Sequence, residues 1–297
     1  MSTVLAPVIG TLRAPFLVLT PACVLLGIAT AAHADRAFDF THAWLALLGA
    51  LSAHVSVNTF NEYLDFRSGL DALTKRTPFS GGSGSLPAHP HAAPATLAVA
   101  VASLLLTAGI GAYFISQQGM MLMPVGLLGL FLVVAYTNTL TRHPWACLIG
   151  PGLGFGLMTL GTHIAVAGAY APSAFAAAMV PFFQVGNLLL LNQFPDVDAD
   201  HSVGRRHLPI ALGRPRSARV YAVFSALAYA TLVGAVVVRV LPASALLGLA
   251  TLPLSAIASL GVVRHADRVE RLGRAMGLNV VVSLLTPVLI AVGLMLR

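Results

Sequence analysis

Six of the chain's ten acidic residues fall in two short stretches. The first runs Asn58-Thr-Phe-Asn61-Glu62-Tyr63-Leu64-Asp65-Phe66-Arg67-Ser68-Gly69-Leu70-Asp71 and closes a long apolar segment. The second runs Asn192-Gln-Phe-Pro195-Asp196-Val-Asp198-Ala-Asp200, followed by Gly204-Arg205-Arg206. On a helix, Asn58, Asn61 and Asp65 are three and four residues apart and share a face, and His54 extends that stripe by one turn. Asn192, Asp196 and Asp200 share a face in the same way. Asp198 points elsewhere if that helix continues, and Pro195 disturbs its course. Carboxylates converging beside lipid repel one another and are costly to desolvate, so they call for cations between them. An all-oxygen donor set of carboxylates and asparagine amides favours Mg2+ over zinc or copper, and Mg2+ commonly takes one or two carboxylates plus phosphate oxygens. Lys75-Arg76 and Arg205-Arg206 follow the two acid clusters and suit a diphosphate. These residue types ask for a metal-bound, arginine-clamped diphosphate whose apolar tail lies among helices.

The composition supplies those helices. The chain has 297 residues, of which 57% are hydrophobic and 9% charged, against about 25% charged in soluble domains. Mean hydropathy is +0.85. Apolar runs of about 20 residues recur along it, as in a polytopic helical membrane protein embedded in the lipid bilayer. The segments lack the ten-residue alternation of barrel strands, and lipid cannot satisfy an open sheet edge. Nine spans are expected: Pro7–Ala32, Ala43–Tyr63, Pro94–Ile115, Met120–Thr137, Ala146–Ala169, Pro172–Leu191, Ala218–Val240, Ala243–Val263 and Ala275–Leu296. No short cleavable leader stands out, and the first apolar run is long enough to span. The formal charge is +7, but the basic residues sit in loops and form no nucleic-acid motif.

Thirteen of the 17 Lys and Arg lie in the loops after the second, fourth, sixth and eighth segments. Arg36, Arg239 and Arg297 lie on the other face. The positive-inside rule then places the N-terminus, with Arg13, and both acid clusters on the cytoplasmic side of a bacterial-type cytoplasmic membrane, and the C-terminus outside. Asn61 to Asp65 aligns with Asn192 to Asp196, and a basic pair and a proline, Pro78 or Pro209, follow each. That pattern predicts one membrane domain, residues 1–297, made of parallel repeats, about 1–140 and 141–297.

Other features read more plainly. Cys23 and Cys147 offer no disulfide framework and read as small buried side chains. Ser80-Gly-Gly-Ser-Gly-Ser85 is not a P-loop, because no Gly-Lys-Ser/Thr follows; it is a flexible linker or a loop that folds over a phosphate. His54 and His163 read as packed, hydrogen-bonded residues, and Trp44 and Trp145 as interface anchors. Gly152, Gly154 and Gly156 suit close helix packing. Tyr136 and Asn138 end the fourth segment, where they line a cavity or anchor at the interface, as His54 and Asn58 line it from the second.

These stretches resemble the UbiA superfamily of intramembrane prenyltransferases over essentially the whole chain. Asn61-Glu-Tyr-Leu-Asp65-Phe-Arg-Ser-Gly-Leu-Asp71, continued by Thr77-Pro-Phe-Ser-Gly-Gly-Ser-Gly84, is similar to the first motif of the branch that includes 1,4-dihydroxy-2-naphthoate prenyltransferase. Asn192 to Asp200 with Gly204-Arg-Arg-His-Leu208 is similar to the second motif, and Leu12-Arg13-Ala-Pro15 to the element opening the first helix. The resemblance implies an all-α bundle of nine helices with a central cavity under a cytoplasmic cap. It implies Mg2+ held by Asn61, Asp65, Asp71, Asn192, Asp196 and Asp200, with Asp65, Asp196 and Asp200 as the catalytic acids. It implies a diphosphate held by Arg13, Arg67, Lys75, Arg76, Arg205 and Arg206. Three departures stand out: Glu62 where Asp is commoner, Gly69 where other branches have Asp, and no acid in Arg142-His-Pro-Trp-Ala-Cys147.

The expected activity is Mg2+-dependent transfer of a prenyl group from its diphosphate to an aromatic small molecule. A membrane terpene cyclase would use the same ionisation without an acceptor. A lipid or ion transporter is the rival of another class; its acids would be spread along a path at mid-membrane.

Overall fold

The structure is a computed structural model that describes residues 2–34 and 39–296, without the side chains of Ser2 and Thr3. Arg36 and Arg297, two of the three basic residues assigned to the outer face, lie outside the described residues. Among the described residues every regular element is helical. Eight helices are long and apolar enough to cross a membrane: Ala14–His33, Phe40–Ser68, Pro90–Gln118, Pro144–Ala167, Pro172–Asn192, Arg214–Val237, Ala243–His265 and Gly273–Met295. A shorter apolar helix, Met120–Ala135, stands between Pro90–Gln118 and Pro144–Ala167. Together they give the nine expected spans in order, numbered first to ninth below.

The first span differs from expectation. The apolar run Pro7–Ala32 is not one helix: Ser2–Thr11 ends, Arg13 adopts a left-handed backbone (φ 53°, ψ 53°), and a new helix starts at Ala14. Pro15 explains the restart, since proline has no N–H to give and suits the first turn of a helix. Ser2–Thr11 packs instead on the turns Ser85–Ala88 and Pro90–Ala92, through Val8, Leu86 and Ala92.

The fifth and sixth helices pack along each other, and glycine sets how closely. A Cβ on Gly152 would stand 2.2 Å from the carbonyl oxygen of Phe182, and one on Gly156 3.2 Å from that of Ala178. Such closeness lets backbones meet where lipid offers no hydrophobic drive. Gly154, between them, faces open space and lines a cavity. The sixth, seventh and ninth helices close one side of the bundle through Leu190, Phe194, Tyr221 and Met276. Leu26, Ala177, Leu232 and Ile290 fill the other end of that side. Cys23 and Cys147 are buried and free, as expected.

Candidate active site

A cavity of about 490 Å3 opens among the first six helices. One end holds residues of both acidic stretches. The other end is floored by Ala46, Phe114, Leu122 and Ala165, which belong to one apolar cluster. Asp65 and Ala46 both line it from the second helix, and nineteen residues of α-helix span about 28 Å. The cavity therefore runs through most of a hydrocarbon core of about 30 Å.

The second helix delivers the first stretch. Asn61 and Asp65 both line the cavity, as their spacing requires, and Asn61 Nδ2 donates to Thr137 Oγ1 at 3.3 Å. The helix stops at Ser68 because Gly69 takes φ 79°, a left-handed C-terminal cap that glycine adopts without a Cβ penalty. The single turn Leu70–Leu73 then brings Asp71 to the cavity, 8% exposed. His54 and Asn58 also line it. His54 is packed as expected, with a 2.7 Å hydrogen bond between its Nδ1 and Thr20 Oγ1 and an edge-on ring contact to Phe155.

The sixth helix ends at Asn192, before Pro195, and a short helix, Val197–Ser202, follows. The interruption does not scatter the second stretch: Asn192, Asp196 and Asp200 all reach the cavity, while Asp198 is exposed. The chain then folds Arg205 back between the two stretches. Its Nη1 donates to Asp200 Oδ1 at 2.9 Å, and its Nη2 pairs with Asp65 Oδ1. His207 Nε2 lies 2.9 Å from the other Asp200 oxygen. One guanidinium thus joins an acid from each stretch.

Asp71 and Asp196 lack such partners. Asp71 Oδ2 and Asp196 Oδ1 are buried without a hydrogen bond. Burial, reinforced by Glu62 and Asp65, pushes the Asp71 carboxyl up to about 7 against the pull of Arg13 and Arg76. Burial and Asp200 push Asp196 up to about 7, opposed by Ser80, Arg205 and Arg13. These two carboxyls are short of positive charge, and orphaned carboxylate oxygens beside asparagine amides fit a hard cation. Among the described residues no group of three or more His, Cys, Asp or Glu is placed to hold a metal ion by itself. The acids stand around Arg205, so an ion here needs amide and phosphate oxygens to complete its shell, a habit of Mg2+.

Of the six basic residues expected to hold the diphosphate, Arg13 and Arg205 line the cavity. Arg67, Lys75, Arg76 and Arg206 are exposed and outside its lining. Arg67 lies in the last turn of the second helix, two residues on from Asp65 and so off its face. Lys75, Arg76 and Arg206 follow helix ends in sequence, but the chain turns them to the surface, and Arg76 lies along Gly84, with Nη2 3.5 Å from its carbonyl oxygen. Tyr136 lines the cavity, whereas Asn138 is exposed beyond it, which corrects its reading as a cavity residue.

Sequence reasoning assigned no role to Glu62, His207 or Ser83. Glu62 is 1% exposed; its Oε1 accepts from Arg13 Nε at 2.6 Å and Ser83 N at 2.8 Å, and its Oε2 from Ser83 Oγ at 2.5 Å. The signal for Glu62 was its departure from the commoner aspartate. His207 stood in the quoted motif, and nothing in its spacing marked it. Ser80, Gly81 and Gly82 line the cavity, so the glycine-rich segment is a loop folded over the acid end and not a free linker.

Comparisons with known proteins bear on the family and the fold. A curated relative, 1,4-dihydroxy-2-naphthoate octaprenyltransferase of Bacillus subtilis (strain 168), is 26% identical over 195 residues, 64% of this chain. The match spans only 61% of that relative's length. The solved structure of a UbiA homologue from Aeropyrum pernix K1 superposes with a TM-score of 0.69 at 17% identity, covering 95% of this chain and 97% of that one. A UbiA homologue from Archaeoglobus fulgidus bound to GPP and Mg2+ superposes with a TM-score of 0.63 at 15% identity, covering 98% of this chain and 100% of that one. The model of the UbiA prenyltransferase family matches residues 19–284, from the first helix to the ninth and through both acidic stretches, so the chain belongs to that family.

Proposed function

We propose that this chain transfers a prenyl group from its diphosphate to an aromatic small molecule, with Mg2+ as cofactor. One observation carries the reading. Asp65 and Asp200, from stretches 135 residues apart in sequence, meet on Arg205 at the head of an otherwise apolar cavity. A polar head and a long apolar barrel match a diphosphate on an isoprenoid tail. The Archaeoglobus homologue that shares the fold binds GPP, a prenyl diphosphate, with Mg2+. The Bacillus relative is named for an octaprenyl chain and an aromatic acceptor.

Asn61, Asp65, Asp71, Asn192, Asp196 and Asp200 would hold the metal. When bound, Mg2+ supplies positive charge against the negative charge that builds on the departing diphosphate. Arg13 and Arg205, already at the cavity head, take diphosphate oxygens and stabilise the same charge. The allylic C–O bond breaks, diphosphate leaves, and the acceptor ring forms a C–C bond to the cation and loses a proton. The apolar walls keep water from that cation. Arg67, Lys75 and Arg206, exposed around this end, attract the anionic substrate instead of gripping it. By the charge of the loops this end faces the cytoplasm.

The test is purified protein in detergent with a prenyl diphosphate, Mg2+ and a panel of aromatic acceptors. Diphosphate release with an acceptor-dependent prenylated product is expected. Release that yields only hydrocarbon or alcohol would make the chain a cyclase. No release with any acceptor, in parent and in Asp65→Asn alike, would end both readings.

A further inference from the structure

We propose that Glu62 and Asn58 are positioning residues: they clamp the helix break at Leu12–Arg13 and the glycine-rich loop at Ser83 together over the acid end of the cavity. Its bearing on catalysis rests on the diphosphate reading above; the clamp itself does not.

The side chain of Glu62 is fully buried, yet both its oxygens are engaged away from the metal set. Oε1 takes Arg13 Nε and the amide of Ser83, and Oε2 takes the Ser83 hydroxyl. One turn earlier on the same helix, Asn58 Nδ2 donates to the carbonyl oxygen of Leu12 at 2.9 Å. Two consecutive residues of the break are therefore each held by the second helix. Arg13 needs holding, because it is a non-glycine residue at φ 53°. Such a backbone persists where its surroundings impose it. The break also aims Arg13. With Nε spent on Glu62, its Nη2 lies 3.6 Å from the point where a Cβ on Gly82 would stand, and Asp71 Oδ1 lies 2.9 Å from the same point. Glu62 thus gathers arginine, loop backbone and a cavity carboxylate into one corner. Aspartate at position 62, one methylene shorter, would not span from the helix to both partners, so the departure from the commoner residue has a structural use.

Amide hydrogen exchange on the full chain in detergent, without ligand, reads the clamp directly. Glu62→Gln keeps the shape but removes the charge and one acceptor. Exchange at residues 12–16 and 77–85 is expected to quicken by about tenfold, while the sixth helix is unchanged. Ser83→Ala, at a half-buried site, is expected to quicken the loop alone. In turnover, Glu62→Gln is expected to raise KM for the prenyl diphosphate about tenfold with kcat nearly kept. Arg13→Gln, which removes the diphosphate contact itself, is expected to raise KM at least as much and to lower kcat as well, and the double variant to be no worse than Arg13→Gln alone. Unchanged exchange in both segments, or independent and multiplying effects of the two substitutions on KM, would overturn the proposal. If the parent releases no diphosphate, the transferase reading fails, and exchange in Glu62→Gln and Ser83→Ala alone decides the clamp.

Discussion

At Asp71 and Asp196 a carboxyl raised from 3.8 to about 7 sets how the site responds to pH. Between about pH 4 and 7 the folded chain holds protons there that the unfolded chain has released, so this share of stability is lost as pH rises through 7. A divalent cation competes with those protons. Half-saturating Mg2+, followed by thermal unfolding in detergent, should therefore rise as pH is lowered from 8 to 6. Without Mg2+ the melting temperature should be higher at pH 6 than at pH 8. Mg2+ affinity flat across that range would contradict the raised carboxyls. Residue types and spacing were enough to bring Asn61 and Asp65 to the cavity, because one helix face carries them together. Asn192, Asp196, Asp200 and Arg205 reach it across a helix break, and Arg13 was marked by the family resemblance alone. Residue types and spacing were not enough for Arg67, Lys75, Arg76 and Arg206. Arg67 sits two residues beyond Asp65 on the same helix and so faces away from it. For Lys75, Arg76 and Arg206 nearness in sequence gives nearness to the helix end, but the direction of each side chain depends on the turn after Gly69 or Gly204, which only the packed loop decides. Glu62 was visible as a departure and opaque as a role, since its partners Arg13 and Ser83 lie 49 and 21 residues away.

At the scale of elements, two interruptions make the site and one glycine row sets the walls. Gly69 ends the second helix so that Asp71 turns back to the cavity, and Pro195 ends the sixth so that Asp196 and Asp200 approach Asp65 and Arg205. Pro195 was readable as a breaker; Gly69 stood out only as a departure from aspartate, and its consequence for Asp71 was not legible. The break at Arg13 was missed, because the apolar run Pro7–Ala32 reads as continuous and only its left-handed residue divides it. The near match of these two helix ends supports a parallel repeat, which we propose as the origin of the paired acid clusters. Gly152 and Gly154 give a matched test of the walls. Gly152→Ala puts a Cβ 2.2 Å from the Phe182 carbonyl oxygen, whereas Gly154→Ala meets nothing within 4 Å. The first should cost about 1–3 kcal/mol of stability by overpacking, and the second should be close to neutral in the same denaturation assay. Equal losses would mean the fifth and sixth helices do not meet as closely as described.

Over the described residues nine apolar helices form the bundle, and the first six enclose a cavity with an acid head and an apolar floor. The helix count and the head were legible in the sequence from hydropathy and charge. The depth was not, because which faces of the second to fifth helices turn inward depends on packing among uniformly apolar surfaces. Gly154 lines the cavity partway along the fifth helix, so Gly154→Phe should block its lower half. Turnover of long polyprenyl diphosphates should then fall at least about tenfold while that of a short one is retained. An equal loss for both lengths would place the tail elsewhere. The most direct test of the central claim, that both acidic stretches build one metal and diphosphate site, is equilibrium binding of a non-ionisable prenyl thiolodiphosphate in detergent. Binding should require Mg2+ and be abolished alike by Asp65→Asn and by Asp196→Asn. Binding that is indifferent to Mg2+, or that survives either substitution, would contradict the account.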